Sequence, residues 1–269
     1  MKYAIGIDIG GTKISVSLGT SAGKILTRRE IPTRTGKKSK DSAAEILGAV
    51  KEILRGTGIS GKKILGIGVG IPGAVNTRRG TVPRSPNLPG WANMPLGKIL
   101  SQKMKLPVFM ANDANAAALG ESLFGAGKKA KDLVYMTVST GVGGGILVDG
   151  KLYVGAGFAA GEIGHISIVP EGKQCACGQR GCLEAYASGT AIARYVRERM
   201  TKTNTGILKF LKSPSFPLCK GGHKGDLKLS AREVGLAARA GDRLAIESYR
   251  QAGYYLGIGI ANLLNILNP

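Results

Sequence analysis

The chain has 269 residues, 43% of them apolar, with 42 glycines and a formal net charge of +21. That length allows two modest domains with real cores, and no apolar run approaches the roughly 20 residues a spanning helix needs, so no membrane partner is expected. The lysines and arginines are spread over many segments with little aromatic interleaving, which argues for a solvated basic surface that attracts anions such as nucleotides and against a specific nucleic-acid partner.

The N-terminus enters strand-like sequence at once, so neither a leader peptide nor an appended DNA-binding module is expected, and the chain reads as cytoplasmic. Residues 3–9 (YAIGIDI) and 14–18 (ISVSL) read as strands joined by the bend DIGGTK, and KILTRREI reads as a third strand. The bend is not a Walker loop, because its lysine follows threonine and a strand comes next. Gly10 and Gly11 at a strand end would let backbone N–H groups approach phosphate oxygens, and Thr12 and Lys13 add a hydroxyl and a charge. Asp8 could hold Mg2+ directly or through water. An ordinary hairpin turn is the alternative. Residues 43–55 place Ile46, Val50, Ile53 and Leu54 on one helical face, with Asp41 or Ser42 as the N-cap. ILGIGVGI at 64–71 is a buried-strand pattern, and PNLPGWANMPL is a proline-rich loop carrying the single tryptophan, Trp91. In PVFMANDANAAALGESLFG a strand stops at Asn112-Asp113 and the alanine-rich run beyond favours helix. Asp113 either caps that helix or binds a polar substrate and takes a hydroxyl proton.

Strand, glycine bend, strand, turn, strand then recurs: LVYMTVS runs into Thr140-Gly141-Val142-Gly143-Gly144-Gly145, followed by ILV, the turn Asp149-Gly150 and KLYV. Such an internal repeat suggests two related domains, each presenting a glycine bend to a shared polyphosphate ligand. The segment 161–184 gathers His165, Cys175, Cys177 and Cys182. Thiolates and imidazole are the ligands zinc prefers, and C-x-C-x4-C with intervening glycines permits the turns that bring three sulfurs onto one ion. Buried free thiols or disulfide partners are the alternatives. Glu162 and Glu184 flank this set. A basic helix is expected from Ser188 to Thr201, an inserted surface loop at 203–228 containing Cys219 and His223, and helix again from Ala231, pausing at Gly241-Asp242.

Taken together, DIGGTK, GVGIPG, PNLPGW, NDANAAALGE, STGVGGG, GEIGH and CACGQRGCLE make the chain resemble the ROK family of sugar kinases and sugar-responsive repressors. The resemblance implies an α/β actin-like ATPase (ribonuclease H-like) fold, with an N-terminal domain at 1–115 and a C-terminal domain at 116–269. It implies ATP in the cleft between them, with Asp8, Gly10, Gly11, Thr12, Lys13, Thr140, Gly141, Gly143 and Gly144 around the phosphates and Mg2+. It also implies a hexose or N-acetylhexosamine held by Asn112, Asp113, Glu162, His165 and Glu184, with Asp113 as the base and a structural zinc bracing the wall. Family members usually continue past the LNP position, so a second domain incomplete at its C-terminus is expected, as is a possible homodimer. A non-catalytic sugar-binding or regulatory protein, or a decayed kinase lacking the adenosine half-site, is the alternative.

Overall fold

The computed structural model describes residues 1–33, 39–77, 79–82, 88, 90, 91, 93–200 and 229–269. The expected insert at 203–228, with Cys219 and His223, lies outside them, as do Pro86, Asn87 and Pro89 of the proline-rich loop. The chain divides into two compact units, Met1–Tyr135 with Gly145–Gly161, and Met136–Gly144 with Glu162–Pro269.

In the first unit, β1 (Tyr3–Ile9), β2 (Lys13–Thr20) and β3 (Ile25–Pro32) form the expected meander, and β4 (Ile64–Ile71) and β5 (Val108–Asn112) extend it in the order β3-β2-β1-β4-β5. β1 pairs antiparallel with β2 and parallel with β4, so the C-terminal ends of β1, β4 and β5 lie along one edge. Asp8 pairs with Gly70 and Ile71 with Asn112 in these ladders, and this places Asp8 and Asn112 at that edge. Alternation does the sorting in β1: Ile5, Ile7 and Ile9 are buried while Gly6 and Asp8 are exposed. These isoleucines meet Ile14, Val16 and Leu18 of β2 and Ile46, Val50 and Ile53 of α1 (Ser39–Thr57) in one core. Each such side chain contributes about 1.5–3 kcal/mol on burial.

Helix α1 starts earlier than the expected cap. Asp41 and Ser42 therefore sit inside its first turn, where the Asp41 charge favours the helix dipole and Ser42 is buried. Trp91, in the proline-rich loop, is only 1% exposed and belongs to the core. α2 (Leu96–Met104) buries Leu96 and Leu100 there, and α3 (Asp113–Phe124) follows β5 directly.

β6 (Leu133–Val138), β7 (Val142–Val148) and β8 (Lys151–Tyr153) form a second sheet in that order. The β7–β8 turn is the expected Asp149-Gly150, with both residues at positive φ (52° and 72°) as a tight hairpin requires. Because β7 begins at Val142, Gly143, Gly144 and Gly145 are strand residues, and the bend itself is Ser139-Thr140-Gly141.

The second unit carries the helices α4 (Glu184–Ala187), α5 (Gly189–Met200), α6 (Ala231–Arg239) and α7 (Arg243–Leu267). Ile192 and Val196 of α5, Val234 and Ala237 of α6, and Ala245 and Ala252 of α7 share a core with Leu229. Both later helices start on side-chain caps. Ser230 and Glu233 form a reciprocal capping box, and Asp242 accepts the Ala245 N–H at 2.9 Å. No described helix is long and apolar enough to cross a membrane.

Candidate functional site

The predicted site residues fall into both units. In the first unit, the end of β1 turns through Gly10 and back into β2. The Gly10 N–H donates to the Lys13 carbonyl at 2.9 Å, Thr33 Oγ1 donates to the Gly10 carbonyl at 2.7 Å, and the Thr33 N–H donates to the Thr12 carbonyl at 2.9 Å. Lys13 Nζ lies 2.6 Å from Glu30 Oε1 on the neighbouring strand. Sequence reasoning missed this pair, and nothing in the bend itself signals it. Glu30 is held below the ordinary carboxylate range by that hydrogen bond.

Asn112 and Asp113 divide two roles that position alone could not separate. Asn112 is the N-cap of α3: its Oδ1 accepts from the Ala114 N–H at 2.9 Å and the Asn115 N–H at 3.2 Å, and its Nδ2 donates to the Gly73 carbonyl at 3.2 Å. Asp113 is therefore not the cap. It is the first helical residue, exposed, with Oδ1 accepting the Ala114 N–H at 2.8 Å. Asp8 titrates above the usual carboxylate range, first because partial burial disfavours its charge and next because the Asp113 carboxylate is near. Arg28 and Lys13 oppose both effects. The Asp113 carboxylate adds to the cost of charging Asp8, so a cation beside Asp8 would be favourable, and the hard oxygens of Asp8 suit Mg2+.

In the second unit, His165, Cys175, Cys177 and Cys182 bring their ligand atoms within 4.8 Å of one another. Cys177 Sγ lies 3.6 Å from Cys182 Sγ, and Cys175 Sγ lies 3.8 Å from His165 Nδ1. Tetrahedral zinc with ordinary bond lengths separates its ligand atoms by about 3.5–3.8 Å, so the four residues fit that ion. The loop that achieves this is stitched by its own backbone, with Cys175 N–H to Gln179 O at 2.8 Å, Gly178 N–H to Cys175 O at 3.1 Å and Gly181 N–H to Lys173 O at 3.0 Å. Burial pushes the Cys182 thiol up to about 12 and raises Cys175, whereas the Gln179 backbone N–H aimed at its sulfur lowers Cys177. A bound cation would relieve the cost of ionising the two buried thiols.

Glu162 precedes the 3-10 turn Ile163–His165, and the His165 N–H donates to the Glu162 carbonyl at 3.0 Å. Glu184 opens α4 and accepts the Val142 N–H on Oε2 at 2.9 Å. A Cβ at Gly141 would stand 3.2 Å from the Glu184 carboxyl carbon and closer still to its oxygen, so a side chain there would displace the carboxylate from Val142. Thr190 Oγ1 donates to the Thr140 carbonyl at 2.8 Å and the Gly189 N–H to the Ser139 carbonyl at 2.8 Å. Sequence reasoning missed Gly189 and Thr190. The one available signal was Ser188 ahead of an apolar-periodic run, and Ser188 does accept the Ala191 N–H at 3.0 Å. A cavity of about 480 Å3 opens beside Thr140, lined by Ser139, Gly189, Thr190, Arg197 and Tyr249 among others, a volume in the range of small-molecule sites.

Comparison with known proteins bears on this arrangement. The glucokinase of Halalkalibacterium halodurans is 40% identical over 269 residues, covering 100% of this chain and 78% of that protein. A ROK family glucokinase from Streptomyces griseus, solved with glucose and AMPPNP, superposes with a TM-score of 0.81 at 36% identity, covering 99% of this chain and 80% of that one. The xylose repressor of Caldicellulosiruptor bescii is 34% identical over 266 residues, covering 98% of this chain and 63% of the repressor. The chain is thus shorter than its relatives and shares the actin-like ATPase fold of the ROK glucokinases. A family model described as ROK matches residues 4–269, and the chain belongs to the ROK family.

Proposed function

We infer that the protein is an ATP-dependent kinase of a hexose or N-acetylhexosamine, with Asp113 as general base. The observation that carries this reading is the division of labour at the end of β5. Asn112 takes over the helix cap and leaves the Asp113 carboxylate exposed at a strand's C-terminal end. The Streptomyces griseus relative, solved with a sugar and an ATP analogue, supports the substrate pair.

In this reading the Asp113 carboxylate accepts the proton of the sugar hydroxyl as that oxygen bonds to the γ-phosphorus, and the bond from phosphorus to the β,γ-bridging oxygen breaks, releasing ADP. Glu162, His165 and Glu184 offer acceptors and a ring nitrogen to the remaining hydroxyls. Asn112, with its Oδ1 spent on the cap, has its second Nδ2 hydrogen for the sugar. The phosphates take backbone donors from Gly11 to Lys13 and from Thr140, Gly141, Gly143 and Gly144, with Gly10, whose N–H is held by the Lys13 carbonyl, closing the first bend, and the nucleoside occupies the cavity beside Thr140. Mg2+ at Asp8 would neutralise charge on the phosphates. Zinc at His165, Cys175, Cys177 and Cys182 would be structural, since protein fills all four positions.

The test is an ADP-release assay across glucose, fructose, allose, N-acetylglucosamine and N-acetylmannosamine. Release with at least one sugar is expected, and silence on all of them from folded, zinc-loaded protein would reject the kinase. The xylose repressor relatives motivate the second reading, a non-catalytic sugar-responsive protein. That reading predicts thermal stabilisation by sugar with no effect of ATP.

A further inference from the structure

The two ends of the metal segment converge on one residue, Val142, one at its carbonyl and the other at its N–H. Gly164, next to the ligand His165, lies so close to the Val142 carbonyl that an added Cβ would stand 3.0 Å from the Val142 carbonyl carbon. Glu184, two residues beyond the ligand Cys182, accepts the Val142 N–H at 2.9 Å. The Leu183 N–H donates to the Ile166 carbonyl at 2.9 Å, and Ser167 bridges Cys182, so the segments next to the first and last ligands are joined to each other. Val142 is itself 4% exposed and packs with Leu183 and Ala187. One side of the Thr140-Gly141 bend is thereby fastened to the cluster, and Thr190 fastens the other.

We propose that Glu184 is a positioning residue for this bend, through which metal loading of the Cys3His cluster and nucleotide binding are coupled. The coupling rests on the kinase reading above, whereas the brace itself does not. With the metal bound, residues 162–184 hold one shape and the Glu184 carboxylate meets Val142, so the bend stands preformed for a phosphate. Without it, the segment loses its crosslink and the bend must be ordered at the expense of binding. Linkage makes this reciprocal: nucleotide must raise the equilibrium affinity for zinc, read in competition with a chelator, by the factor by which zinc raises nucleotide affinity.

The experiment compares wild type, Glu184→Gln and Glu184→Ala by amide hydrogen exchange of residues 139–144, and by calorimetric titration of Mg2+-AMPPNP without sugar, so that a lost sugar contact cannot contribute. Glu184→Gln keeps an acceptor oxygen for Val142 and should retain protection and nucleotide affinity. Glu184→Ala should lose protection and bind AMPPNP roughly 10-fold more weakly. Stripping zinc from the wild type should reproduce the alanine variant. Should Glu184→Ala lose its fold, Glu184→Asp, whose carboxylate stops one methylene short of Val142, serves in its place. Unchanged exchange in the alanine or aspartate variant, or a glutamine variant no better than alanine, overturns the brace. If wild type shows the exchange pattern but binds no AMPPNP, the kinase reading fails and the brace stands.

Discussion

The two glycine bends are held in different ways. The first is closed from within and by its own meander: Gly10 bonds Lys13, and Thr33, at the end of the same three strands, holds the Gly10 and Thr12 carbonyls. The second has one local closure, the Ser139 N–H on the Gly141 carbonyl at 2.9 Å, and is otherwise held by residues far along the chain, with Gly189 and Thr190 on the Ser139 and Thr140 carbonyls and Glu184 on the Val142 N–H. A locally closed bend is as stable as its hairpin, whereas a bend held by distant elements can be loosened from a distance. The second bend is therefore the one that can report on the metal segment.

Substitutions should separate the two. Among substitutions at the two bends, the largest effect belongs to Asp8, beside the first. Its pKa is raised in the folded state, so its favourable contribution to stability is complete below its unfolded value near ~3.9 and is lost as pH rises through the folded value. Asp8→Asn should accordingly raise the melting temperature slightly at pH 7 while lowering Mg2+-dependent turnover by roughly 10²-fold or more. Calorimetric melts beside turnover assays read both. Cys177→Ser should cut zinc content to background and weaken sugar and nucleotide binding together by roughly 10–100-fold. Metal analysis and titration test this, and unchanged binding in zinc-free protein would break the comparison. Thr190→Val, which removes the hydroxyl on the Thr140 carbonyl but keeps the shape, should raise KM for ATP roughly 3–10-fold with kcat nearly constant. Glu30→Gln should do least: the Lys13–Glu30 pair is solvent-exposed, and steady-state constants should stay within about twofold.

What the sequence made legible follows the same division. The meander, the Asp149-Gly150 hairpin and the apolar face of α1 are short-range patterns, and all are present. The four residues of the Cys3His cluster share one segment and a chemistry with few alternatives, and they converge. What escaped was set by tertiary contact or by a choice between neighbours. The cap of α3 went to Asn112 although Asp113 is an equally good cap by type, because the strand carries on through Asn112 and its amide also reaches Gly73. The contact of Glu184 with Val142 spans too much chain for spacing to suggest it, and the run of glycines after Val142 reads as a bend although it is strand. Gly145 is needed for packing, since a Cβ there would press on Ala118 of α3.

The central claim is most directly tested by following phosphoryl transfer in Asp113→Asn alongside its glucose affinity. Wild type should convert glucose and ATP to a hexose phosphate and ADP. The variant should bind glucose about as well and transfer roughly 10²–10⁴-fold more slowly, the contribution expected of a general base. A wild type that binds glucose yet forms no ADP, or a variant that transfers at the wild-type rate, would contradict the account.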